Sequence, residues 1–72
     1  LAERMDRRKT IAEVFFRLGK YAQALKCYET LVVIKPEDAA NVYNFGICLQ
    51  RLGRDELAKK VLARAKKLAE AR

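Results

Sequence analysis

The chain has no histidine and no serine, and those two absences remove most of the reaction chemistry that a small protein can host. Without an imidazole there is no base poised near neutral pH, and without a serine hydroxyl there is no Ser-His triad. Thr10 and Thr30 fall inside helix-forming runs with no base beside them. Cys27 and Cys48 are the two cysteines, and two thiolates without a histidine cannot complete a four-ligand zinc site. Gly19, Gly46 and Gly53 stand singly, so no loop is built to cradle a phosphate. The inventory points away from an enzyme and offers no place for a cofactor or a metal.

Other shortages narrow the class further. Two cysteines without a CxxC pattern are too few for a disulfide-stapled secreted scaffold. Both thiols read as small core residues of a protein in a reducing compartment, which points to the cytoplasm. The opening Leu-Ala-Glu-Arg-Met-Asp-Arg-Arg-Lys is too charged for a signal sequence. Because it starts on Leu, the chain is expected to be a piece of a longer protein. Leu31 to Ile34 is the longest uncharged apolar run, against the roughly 20 residues that a helix needs to cross a bilayer, so no span is expected.

What is present describes an all-α chain: 35% charged residues, one proline and three glycines, with Ala, Leu, Lys, Arg and Glu abundant. Its 72 residues suffice for one small domain, residues 1–72, with a thin core. Lys and Arg number 16 against 9 Asp and Glu, a net charge of +7, which favours acidic partners.

The sequence repeats with a period of 34: Arg17-Leu18-Gly19 returns as Arg51-Leu52-Gly53, Ala24 as Ala58 and Lys26 as Lys60. Each Leu-Gly pair closes an amphipathic run, and each alanine lies inside the next. A glycine just past a helix can take the left-handed conformation that ends it, and a short connection then forces antiparallel packing. The period therefore defines a helical hairpin. Apolar spacing predicts helices over Ala2 to Leu18, Tyr21 to Ile34, Ala39 to Leu52 and Glu56 to Ala71. Pro36 separates the hairpins, with Glu37 and Asp38 suited to the start of the third helix. The expected core is Ile11, Ala12, Phe15 and Leu18 from the first helix and Ala24, Leu25, Tyr28, Leu31 and Val32 from the second. The third contributes Phe45, Gly46 and Leu49, and the fourth Leu57, Ala58, Val61, Leu62, Ala65 and Leu68.

At these positions the chain resembles the tetratricopeptide repeat, whose pattern has a Leu-Gly pair and an aromatic in the first helix, then Ala, an aromatic and Pro in the second. Repeat one, about residues 5–38, offers Ile11-Ala12, Phe15, Ala24, Tyr28 and Pro36, with Gly19-Lys20-Tyr21 near the family's Gly-x-Tyr turn. Repeat two, about residues 39–72, offers Phe45-Gly46, Leu49, Gly53, Ala58 and Leu62. It departs at Asp55, Lys59 and Glu70, in place of the aromatic, apolar and Pro residues of repeat one, and Lys59, Lys60, Arg64, Lys66 and Lys67 give it a terminal, solvent-facing character. The resemblance implies a right-handed superhelical stack of two antiparallel hairpins, working as a non-enzymatic adaptor or scaffold that binds a peptide or partner helix on the concave wall formed by the first helix of each pair. It places Asp6, Lys9, Glu13, Phe16 and Arg17, then Ala40, Tyr43, Asn44, Ile47, Gln50 and Arg51, on that wall. Phe16, Tyr43 and Ile47 would be apolar anchors on a face that the core does not need, and Arg17 and Arg51 would meet a carboxylate. Some members of the family clamp a C-terminal carboxylate with Lys and Asn; Lys9 and Asn44 match two such positions, while Glu13 stands where Asn is required.

Two alternatives stay open. The wall is a self-interface of a homo-oligomer, since stable arrays generally need at least about three repeats. Or the basic residues Arg4, Arg7, Arg8 and Lys9 and the Lys60, Arg64, Lys67 stripe bind nucleic acid, although no aromatic is interleaved with the stripe to stack a base.

Overall fold

Four helices follow one another in the order α1 (Ala2–Arg17), α2 (Tyr21–Ile34), α3 (Ala39–Arg51) and α4 (Asp55–Glu70). They are seen in a computed structural model that describes the backbone of residues 2–71 and the side chains of residues 7–71. The side chains of Arg4 and Asp6 therefore lie outside the described residues. No strand occurs among the described residues. The helices match the expected ones except at their ends: α1 and α3 stop one residue earlier, and α4 is shifted to run from Asp55 to Glu70.

The two helix junctions are the same structure at an interval of one repeat. Gly19 and Gly53 carry φ of 75° and 81°, the left-handed region that only glycine enters without steric cost. Around them, Gly19 N–H donates to Phe16 O at 3.1 Å and Lys20 N–H to Phe15 O at 2.9 Å. Gly53 N–H donates to Gln50 O at 3.1 Å and Arg54 N–H to Leu49 O at 2.8 Å. This pair of bonds is the Schellman closure, which satisfies carbonyls that a helix end would leave open and turns the chain back within a few residues.

The hairpins are joined differently. Before Pro36 the α conformation is disfavoured, so α2 ends at Ile34, with Lys35 N–H donating to Leu31 O at 2.9 Å. Asp38 then caps α3: its Oδ1 accepts from the N–H of Ala40 at 3.1 Å and of Asn41 at 3.3 Å. Burial by itself works to raise the pKa of this carboxyl. The Asn41 N–H, the nearby Lys9 charge and the Ala40 N–H outweigh it and hold the pKa below its ordinary value.

α1 lies against α2 and α3 against α4, so each hairpin closes on itself, and α2 packs along α3 to join the two. α1 meets α3 only at the margin. One core results, built from Ala12, Ala24, Leu25, Tyr28, Leu31, Cys48, Leu49 and Ala58, with Phe15, Phe16, Tyr21, Phe45 and Val61 packed against it. Small residues let helix axes approach at these crossings. At Gly46 an added Cβ would lie 2.7 Å from Leu62 Cδ2 and 3.2 Å from Val61 Cγ1.

Three expected core residues are exposed: Ile11, Leu18 and Leu57 at 50%, 65% and 45%. Leu57 sits one period after Gln23, also exposed, so that position faces away from the hairpin partner. Ile11 and Leu18 face outward from the first hairpin, where no described helix covers them. Phe16 departs in the opposite sense, since it packs on the core rather than standing clear of it.

Asp38→Ala should lower stability at pH 7 by about 1 kcal/mol, the usual worth of an N-cap. Because the folded pKa is depressed, the carboxylate's contribution is present above the unfolded value of about 4 and is lost as pH falls through the folded pKa. Thermal melts of the two proteins should therefore differ at neutral pH and converge in acid. Gly19→Val forces a branched side chain into left-handed backbone and should lower Tm by several degrees, whereas Lys66→Ala, on an exposed face, should leave it nearly unchanged. Equal responses would contradict the junction geometry.

Candidate functional site

Tyr28 connects the two hairpins through its ring and its hydroxyl. The side chain is fully buried, and the Asn44 amide Nδ2 donates to its hydroxyl at 3.1 Å across the α2–α3 contact. Phe16 meets the Tyr28 ring edge-on at 6.4 Å between centroids and the Tyr21 ring edge-on at 5.6 Å. Such perpendicular pairs add about 0.5–1.5 kcal/mol beyond their buried area. Arg51 from α3 places its guanidinium carbon 5.9 Å from the centre of the Tyr21 ring, within reach of a cation–π attraction. Burial pushes the Tyr28 hydroxyl up to about 12, against the Asn44 bond, which lowers it, while the Glu13 carboxylate adds a smaller push upward. The hydroxyl is therefore a fixed neutral group and not a proton carrier.

The expected wall residues divide by what they touch. Lys9 Nζ is 3.5 Å from Asp38 Oδ2, tying α1 to the start of α3, and Asn44 is engaged with Tyr28. The two residues that match a carboxylate clamp are thus both held by partners within the chain. Phe16 is committed to Tyr21 and Tyr28. Glu13 and Ile47 are half-buried, and Arg17, Gln50 and Arg51 are exposed. Tyr43 is 52% exposed and borders a cleft between α3 and α4 together with Ala40, Leu62 and Lys66. Gln50 borders a second cleft along the same helix pair, with Lys59 and Leu62.

The register explains the difference. Lys9, Glu13 and Phe16 lie one period before Tyr43, Ile47 and Gln50. In the first hairpin, Lys9 reaches Asp38 and Phe16 meets Tyr21 and Tyr28; in the second, Tyr43 and Gln50 are exposed and Ile47 is half-buried. Tyr21 and the Tyr28 hydroxyl were the features that sequence reasoning missed. A buried tyrosine needs a partner for its hydroxyl, which is a signal, but nothing in the spacing identifies Asn44 as that partner.

Cys27 and Cys48 are both free, and burial pushes the Cys48 thiol up to about 11, away from the thiolate that reacts or ligates. No cluster of metal-ligating side chains occurs among the described residues, and no described helix is long and apolar enough to cross a membrane.

Two hairpins of one construction, closed by equivalent glycine turns and joined face to face, define a helical-repeat protein. The family model of the tetratricopeptide repeat matches the chain twice, over residues 10–38 and 39–72, and the chain belongs to that family. Searches among curated proteins and among solved structures found no match. Tetratricopeptide repeats are non-catalytic modules that bind proteins or peptides.

The bond between the hairpins can be measured. In a double-mutant cycle of Tyr28→Phe and Asn44→Ala followed by urea unfolding, the coupling energy should be about 1 kcal/mol, the net worth of a neutral hydrogen bond. A coupling near zero would remove this contact from the account of how the repeats are joined.

Proposed function

We propose that the chain receives an extended peptide or a partner helix along the wall of α1 and α3, and so acts as an adaptor or scaffold between proteins. The observation that carries this reading is Tyr43, a half-exposed aromatic on a helix held from both sides, next to the half-buried Ile47. An aromatic with few rotamers on a rigid element provides large contact area at low entropic cost. Arg17 and Arg51 end their helices at the same side of the glycine turns, and both are exposed. They suit a partner carboxylate, which a guanidinium can take in a bidentate fork. The partner is then a segment with one or two apolar side chains and an acidic residue nearby.

Phe16 supports the wall from beneath, through Tyr21 and Tyr28, and does not serve as an anchor. Tyr43 is consequently the residue whose removal tests binding without disturbing the core. Peptides selected from a random displayed library against the intact chain should carry an apolar anchor and an acidic residue. Tyr43→Ala should weaken them by about 2 kcal/mol, roughly thirtyfold in Kd, with helicity unchanged by circular dichroism. Undiminished binding by Tyr43→Ala would sink the assignment of the wall. A molar mass that rises to dimer with concentration in light scattering, and falls back on Tyr43→Ala, would make the wall a self-interface instead.

A further inference from the structure

Two tyrosines of α2 meet two polar side chains of α3 at matching intervals. Tyr21 and Tyr28 are seven residues apart on α2, and Asn44 and Arg51 are seven residues apart on α3, so each pair lies on one stripe of its helix. The contacts join them in antiparallel order. Asn44 Nδ2 donates to the Tyr28 hydroxyl at 3.1 Å, and the Arg51 guanidinium carbon stands 5.9 Å from the centre of the Tyr21 ring. Phe16 of α1 lies edge-on to both rings, at 5.6 Å and 6.4 Å between centroids, and braces them from the side.

The two polar contacts differ in what they leave free. The Asn44 bond is made inside the protein, to a fully buried tyrosine. The attraction of a guanidinium to a ring acts through the ring face and uses none of the five N–H donors that a carboxylate would take. Arg51 is exposed, and no carboxylate among the described residues is within ion-pair distance of it. Asp55 and Glu56, the acids nearest to it in sequence, are exposed in the first turn of α4, beyond Gly53. Glu13, the carboxylate of the α1 wall, acts instead on Tyr28. Among the described residues no ring is placed against Arg17 as Tyr21 is against Arg51.

We propose that Tyr21 is a positioning residue for partner recognition: its ring holds the Arg51 guanidinium on the wall, where a carboxylate of the bound segment docks. Immobilising a long side chain on binding costs about threefold to tenfold in affinity, and a guanidinium already held avoids part of that loss. The inference rests on the reading of the α1–α3 wall as the binding surface and adds where the acidic contact falls. Tyr43, Ile47 and Arg51 follow one another at intervals of four along α3, a length of about 12 Å at 1.5 Å per residue. An extended segment covers that length in about four residues at roughly 3.3 Å each. The partner's apolar anchor and its carboxylate should therefore stand about four positions apart.

The test uses the intact chain and a library-selected peptide whose binding is lost on Tyr43→Ala, made in two forms, with Glu or with Gln at its acidic position. The wild-type chain should prefer the Glu form by about tenfold or more, the worth of a hydrogen bond to a charged group. Arg51→Gln should abolish that preference. Tyr21→Leu should reduce it by about threefold or more while binding the Gln form as the wild type does, and Tyr21→Phe, which keeps the ring, should restore it. Circular dichroism establishes that each variant folds. If Tyr21→Leu does not fold, proton NMR of the wild-type chain decides: the Arg51 side-chain protons should be displaced upfield by the Tyr21 ring and move with the Glu form only. Positions for those protons typical of a free arginine would overturn the proposal. So would an equal loss of both peptide forms on Tyr21→Leu, because Tyr21 would then act only through the stability of the wall. A Glu preference that survives Arg51→Gln, in a peptide that still depends on Tyr43, overturns this inference and leaves the wall standing. If no selected peptide depends on Tyr43, the wall itself is refuted, and this inference with it.

Discussion

An added carbon at Gly46 would come within 2.8 Å of Leu62 Cγ as well as meeting its Cδ2, and that exclusion governs how closely α3 can lie on α4. The first hairpin meets the same requirement with alanines, since Ala12 and Ala24 are completely buried. Close helix axes leave little room between elements, and the large side chains fill what remains from the sides: Tyr28, Leu31 and Leu49 are the bulky fully buried residues. Tyr28 then has one polar atom in an apolar place, and the amide of Asn44 satisfies it from the next repeat. The small residues fix the hairpin, and the large one they make room for fixes one hairpin to the other.

Repetition of one unit produces two unlike ends. Leu25 and Val32, which help to bury repeat two, become Lys59 and Lys66 one period later, and both lysines are exposed. The final helix thus meets water with charge where its counterpart meets protein with branched side chains. At the opposite end Ile11 and Val14 are each 50% exposed, with no described helix over them.

The hairpins were legible because their signals are local. Gly19 and Gly53 announce a left-handed helix end, and Asp38 after Pro36 announces a cap. What was not legible is which of two apolar stripes on a repeat helix finds a neighbour. Ile11 has the spacing of a core residue and its counterpart Phe45 packs on the core, whereas no described helix lies against Ile11; Leu18 and its counterpart Leu52 are both exposed beside their glycine turns. Phe16 also looks free on an isolated helix, yet the rings of Tyr21 and Tyr28 on α2 meet it edge-on. Register against the second repeat carried some of this, since the polar Gln23 marks the position of Leu57 as an outer one. The Tyr28–Asn44 bond depends on the angle between hairpins, which no periodicity contains. Of the wall residues, Tyr43 is half-exposed on its helix and Arg51 lies over the Tyr21 ring, while Lys9 and Asn44 are held by partners that lie elsewhere in the sequence.

The thin core links binding to stability. The molecule measures 32 × 30 × 17 Å, and its shortest dimension is less than two full helix diameters of about 10–12 Å, so few residues can lie far from water. A partner that binds only the folded chain raises its stability by mass action.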